Sequence, residues 1–150
     1  MVNLTSVTGL GTIQKGHGVV FFDFDNDGDQ DIYSALGGLA PSDDWPNEFF
    51  VNDSELTNTW TKIRLQGTRS NSHGLGAAIK VVAKNANGQE LVRHHLMDNG
   101  TGFGSNPYVS HVGLLDAVEI LRVEVVWPGS TKAQIYPANL MELNLLVENQ

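Results

Sequence analysis

Several stretches of this chain alternate apolar and polar residues with a period of two, and turn-forming residues interrupt them roughly every ten positions. Thr61, Ile63 and Leu65 alternate with Lys62, Arg64 and Gln66. Leu121, Val123, Val125 and Trp127 form a second face, stopped by Pro128-Gly129. Met141, Leu143, Leu145 and Val147 alternate with Glu142, Asn144 and Glu148. Side chains on a strand point to opposite faces in turn, so this pattern marks half-buried strands. Ala77 to Lys84 and Glu90 to Leu96 flank Asn85-Ala86-Asn87-Gly88 and read as a hairpin. Val19 to Phe24, Ile32 to Leu36 and Glu48 to Val51 are short apolar, β-prone runs bounded by Gly, Pro, Asn or Asp. Helical spacing is weak. Its best instance, Leu114 to Glu119, is too short to hold a helix.

The pattern predicts an all-β chain: an antiparallel β-sandwich or barrel with an N-terminal hairpin. Its expected core is Ile63, Leu65, Ile79, Val81, Leu121, Val123, Val125, Trp127, Leu143 and Leu145. A seam at NDSELTN, residues 52 to 58, divides an acidic segment, 1–57, from a longer β unit, 58–150. The three short strands of the first segment cannot bury enough surface alone. They are expected to pack on the second unit, or to pair between chains as a homodimer.

Seventeen acidic residues against nine basic give a formal charge of −8. That balance argues against nucleic acid and anionic membranes, both of which need clustered Lys and Arg. No apolar run approaches the ~20 residues of a membrane-spanning helix, so no membrane insertion is expected. The start, MVNLTSVTGLGTIQKG, lacks the basic and apolar regions of a signal peptide. The absence of cysteine excludes disulfides and thiolate metal sites.

Much of the acidity sits in residues 23 to 31, DFDNDGDQD, with five aspartates at alternate positions. Carboxylates about 4 Å apart repel by roughly 1 kcal/mol per pair even in water, so a cation is the expected counterweight. Ca²⁺ takes six to eight oxygen ligands, and Asp is the shortest side chain that supplies one. Asp23, Asp25 and Asp27 stand at positions 1, 3 and 5 of such a loop, and Gly28 at position 6 permits the turn with positive φ. The Asp29 carbonyl can then turn inward, and Asp31 at position 9 closes the site. The helix–loop–helix form needs a Glu at position 12, where this chain has Ser34. The flanks are strands, so the reading is a calcium loop within a β-hairpin. The alternative is a solvated acidic turn without metal.

This loop, preceded by GHGVVFFDFD and followed by DIYSALGG and NEFFVND, resembles an FG-GAP/VCBS repeat, the blade unit of integrin-like β-propellers. NTWTKIRLQGTRSNSHGLGAAIKV, DNGTGFGSNPYVSHVGL and VEVVWPGSTKAQIYPANLMELN are similar to the ASPIC/UnbV domain, named from cartilage acidic protein and a bacterial relative. The chain departs from the pattern where relatives tend to read FGLG and WPSG. It has Val112-Gly113-Leu114-Leu115 and Trp127-Pro128-Gly129-Ser130 there. One blade cannot close a propeller. The resemblance implies calcium binding in the repeat and a secreted or cell-surface location, and no agreed activity for the ASPIC/UnbV part.

Two functions fit these features. The first is a non-enzymatic, calcium-binding β-module for adhesion or for recognition of a protein or carbohydrate ligand. Trp45, in a loop between Asp43-Asp44 and Pro46, is its candidate exposed aromatic, while Trp60 and Trp127 belong to alternating strands and to the core. The second is a hydrolase-type enzyme with a cleft between hairpin and sandwich, using calcium or a pair of histidines such as His73 and His111. No G-x-S-x-G elbow or P-loop supports catalysis, and the Gly74–Gly76 and Gly100–Gly104 runs read as tight turns. His94 and His95 are neighbours on one strand and point to opposite faces.

Overall fold

The computed structural model describes residues 8–11, 15–38, 41–42, 44–54, 58–100 and 104–150. Among these residues, ten strands make three sheets: β1 (Gly16–Phe22), β2 (Asp31–Leu36), β3 (Glu48–Phe50), β4 (Trp60–Gln66), β5 (Ala78–Asn85), β6 (Glu90–Leu96), β7 (Ser110–Gly113), β8 (Ala117–Val126), β9 (Ala133–Tyr136) and β10 (Leu143–Val147). Among the described residues there is no helix, and Leu114 to Asp116 form a turn into β8.

The orders β10-β4-β7 and β6-β5-β8-β9 define the two layers of a sandwich, with no closed barrel. Ile63 and Leu65 from β4, Val112 from β7 and Leu146 from β10 meet Ile79, Val81 and Ala83 from β5 and Val123 and Val125 from β8. Trp127 closes this core, its Nε1–H donating to the Tyr136 hydroxyl at 3.1 Å. The expected hairpin of β5 and β6 forms, with Gly88 donating to the Asn85 carbonyl at 2.9 Å. Not all pairing is antiparallel. β10, the last strand, runs parallel to β4, Leu143 opposite Lys62 and Val147 opposite Gln66.

Three expected core residues are on the surface: Leu121 is 37% exposed, Leu143 45% and Leu145 55%. The register of β8 against β5 slips between Val82 and Ala83, whose partners are Arg122 and Ile120. Leu121 is the extra residue of that bulge, and an extra residue resets which side chains face inward. Ile120 is buried in its place. In β10 the parity is reversed throughout, and Asn144, Leu146 and Glu148 point in. Asn144 Nδ2 donates to Thr61 Oγ1 at 2.9 Å and to the Asn139 carbonyl at 3.0 Å, while its Oδ1 accepts from the Asn139 N–H at 2.9 Å. The Glu148 carboxylate accepts from the Thr68, Arg69 and Ser70 N–H groups at 2.8–2.9 Å and from the Ser70 hydroxyl. A one-residue slip would leave these polar groups without partners, and that cost outweighs the hydrophobic gain of turning Leu143 and Leu145 inward.

The third sheet, β1-β2-β3, is antiparallel, with Phe22 opposite Asp31 at the mouth of the aspartate loop. It lies against the sandwich. The Phe21 N–H donates to Asn106 Oδ1 at 3.0 Å, and Gly104 sits so close to β1 that a Cβ there would fall 2.3 Å from the Val19 carbonyl oxygen.

The backbone donors around Glu148 hold its carboxyl down from the ordinary 4.5 to about 2. A depressed carboxylate stabilises the fold fully above its unfolded value and loses that contribution as pH falls through the folded one. Glu148→Gln should therefore lower the urea midpoint at neutral pH. Its deficit against the parent chain should close between pH 4.5 and about 2; a deficit independent of pH would show that the charge does not matter.

Candidate metal centre

Residues 23–30 connect β1 to β2 over the outer face of β4 and β7. The loop is built from short local hydrogen bonds. Asp25 Oδ1 accepts from the Asp27 N–H at 3.3 Å, and Asp27 Oδ1 from the Asp29 N–H at 3.0 Å. These i to i+2 bonds are the Asx turns that Asp makes readily. Asn26 and Gly28 take positive φ, 64° and 102°, and let the chain curl. Asp23 Oδ2 reaches across the curl to accept from the Gly28 N–H at 3.0 Å.

The curl brings Asp23, Asp25 and Asp27 together, each offering a carboxylate oxygen within 4.8 Å of the others. Asp23 is the innermost, with 1% of its side chain exposed. Its Oδ1 is buried and has no hydrogen-bond partner. A buried carboxylate oxygen without a partner is costly, and the three convergent oxygens suit a hard cation. The residues present therefore fit Ca²⁺, which would add the charge that offsets their repulsion.

The other two aspartates stand apart from this trio. Asp31 is 1% exposed, and both its oxygens are engaged: Oδ2 accepts from the Phe24 N–H at 2.7 Å, and Oδ1 from the Asn52 N–H at 2.9 Å. It ties the start of the loop to the segment after β3. Burial, together with the nearby Asp27 charge, raises the Asp29 pKa, and Ser54 beside it works the other way. Its Oδ1 is also buried and unpartnered.

Below the loop, Trp60 and Lys62 are 7% and 9% exposed although they alternate away from the sandwich core. The Lys62 ammonium lies 2.7 Å from Asp23 Oδ2, donates to Asn26 Oδ1 at 3.0 Å, and sits 5.1 Å from the centre of the Trp60 ring. Gly28 presses on the same indole, so that a Cβ there would fall 1.6 Å from Trp60 Nε1. His111, opposite Lys62 on β7, packs on Trp60. Burial, only partly countered by Asp23, pushes its pKa down. Alternation puts Trp60 and Lys62 on the strand face away from the core. The second apolar-and-acidic layer that covers them was the missing signal.

The family model described as ASPIC and UnbV matches residues 67–150, more than half the chain. The chain belongs to the ASPIC and UnbV family. The match starts directly after β4, so this ASPIC/UnbV sandwich takes the middle strand of one sheet from outside the matched residues. A comparison with curated proteins gave no match.

Clefts lie between the first sheet and the ASPIC/UnbV sandwich. One, of about 210 Å³, is lined by Phe21, Phe22, Asp23, Lys62, Arg64 and Leu143 among others. Another, of about 420 Å³, collects His94, His95, Asp98, Ser110 and His111. His73 does not line it and stacks on Tyr108, ring centres 4.3 Å apart. Trp45 is 49% exposed.

Gly28→Ala should be a severe change, because a side chain at positive φ costs about 1–3 kcal/mol and the new methyl meets Trp60. Urea unfolding should show a loss of at least ~2 kcal/mol. A loss below ~0.5 kcal/mol would mean that the loop lifts freely off β4.

Proposed function

We propose that the chain is a non-enzymatic, calcium-binding β-module that recognises a protein or carbohydrate ligand, with residues 1–57 acting as a single FG-GAP/VCBS-like repeat docked on the ASPIC/UnbV sandwich. The observation that carries this reading is the Asp23–Asp25–Asp27 cluster, whose innermost member, Asp23, has a buried Oδ1 without a partner. Asp23, Asp25 and Asp27 supply side-chain oxygens to one Ca²⁺. The Asp29 carbonyl completes the protein's share, Asp31 braces the loop through the Phe24 and Asn52 N–H groups, and water fills the rest of the shell. Mg²⁺ competes poorly, because it demands a tight octahedron and sheds water reluctantly.

Recognition falls to exposed aromatic surface beside the loop. Phe24 is 62% exposed and packs edge-on to Phe22 and Phe49, and Trp45 stands clear of the sheet. Adhesion at a cell surface or outside the cell fits the weak calcium affinity of extracellular modules, with dissociation constants of about 10⁻⁴–10⁻³ M. The competing reading, a hydrolase-type enzyme, draws on the cleft that gathers His94, His95, Asp98 and His111. The protein-recognition reading needs no reacting group and is preferred.

Calcium at about tenfold above its dissociation constant should add ~1.4 kcal/mol of stability, a rise of about 3–6 °C in Tm for a chain of this size. Asp25→Ala and Asp27→Ala should each abolish the rise and leave the sandwich folded. Equal melting in EDTA and in millimolar Ca²⁺ would reduce the loop to an acidic turn.

A further inference from the structure

We infer that Lys62 is a built-in counter-cation of the aspartate loop: it holds the metal-free loop on β4 and weakens the binding of a divalent cation. The inference rests on the calcium reading of the loop. Asp23 is shared between two sides. Its Oδ2 takes the Lys62 ammonium at 2.7 Å and the Gly28 N–H at 3.0 Å, while its Oδ1 is buried and without a partner. Lys62 and a cation held by Asp23, Asp25 and Asp27 thus share one carboxylate.

The ammonium is fixed where it is. Asn26 Oδ1 accepts from it, the Trp60 ring lies beneath it, and only 11% of the Lys62 side chain is exposed. Paired with Asp23, it lets the loop bury a carboxylate that would otherwise be an uncompensated charge, which is strongly destabilising. Without an ion, the loop therefore still has one positive charge at its centre.

Both consequences for calcium have the same sign. A divalent ion bound by Asp23 meets a like charge on the same carboxylate, which is barely screened in so buried a place. The metal-free state that it must compete with is already stabilised by Lys62. Removing the ammonium lifts the first penalty and raises the free energy of the metal-free state. Calcium affinity must rise in both cases. The lysine also makes docking independent of calcium: the loop stays on Trp60 whether or not the ion is present.

The test is calorimetric titration of the whole chain with CaCl₂, alongside melting in EDTA, for the parent, Lys62→Met, Lys62→Gln and Lys62→Arg. Lys62→Met and Lys62→Gln should bind Ca²⁺ at least about tenfold more tightly, ~1.4 kcal/mol, and melt lower in EDTA. Lys62→Arg keeps the charge and should stay near the parent in both. Calcium binding that is unchanged or weaker in the two neutral variants overturns the inference. So does failure of both to fold even in calcium, because the ion then cannot replace the ammonium. Absence of binding to the parent and to every variant overturns the calcium reading itself. In that event a fall in EDTA melting confined to the neutral variants preserves the clasp between Lys62 and Asp23.

Discussion

β4 is buried on both faces at its start, and the rest of the molecule is arranged around that fact. Thr61, Ile63 and Leu65 face the sandwich core, while Trp60 and Lys62 are covered from the other side by the aspartate loop. A strand in this position needs partners in four directions. β10 and β7 supply the two edges, the β5–β8 sheet supplies the inner face, and the loop supplies the outer one. The first sheet therefore forms the third layer over β4. Its tip fills the space beside an indole and a lysine that would otherwise be exposed.

This arrangement sets what period-two alternation can reveal. The Asn85–Gly88 hairpin, the inward parity of Ile63, Leu65, Ile79 and Val81, and the curling aspartate loop are all local, and all were legible in the sequence. The parity of β10 was not. Leu143, Leu145 and Val147 look like a core face, but Asn144 and Glu148 have partners on β4 and in the 68–70 turn that only the folded chain assembles. Leu121 was misread for a different reason, a bulge whose position depends on the register with β5. The parallel pairing of β10 with β4 joins strands nearly eighty residues apart, and no short-range pattern encodes it.

The same limit applies to the site. Alternate aspartates around Gly28 pointed to a converging cluster, and Asp23, Asp25 and Asp27 do converge. Nothing local distinguishes them from Asp29 and Asp31, which share the spacing. The distinction comes from what surrounds each one. Asp31 meets two backbone N–H groups and braces the loop; Asp29 meets Ser54; Asp23 meets Lys62 and Gly28. Lys62 itself read as a solvated strand residue, because alternation reports one buried face and cannot report a second.

Four of the five aspartates in this loop thus divide three kinds of work. Asp31 converts charge into backbone hydrogen bonds, which stabilise a carboxylate without any cation. Asp25 and Asp27 remain exposed, where water screens much of their repulsion. The Asp23 side chain is buried against the sandwich, where the Lys62 ammonium meets it. The electrostatic cost of the motif is therefore concentrated at the one point where the loop meets β4. Whatever neutralises Asp23 must also hold the two parts of the chain together, and a lysine on β4 does both at once.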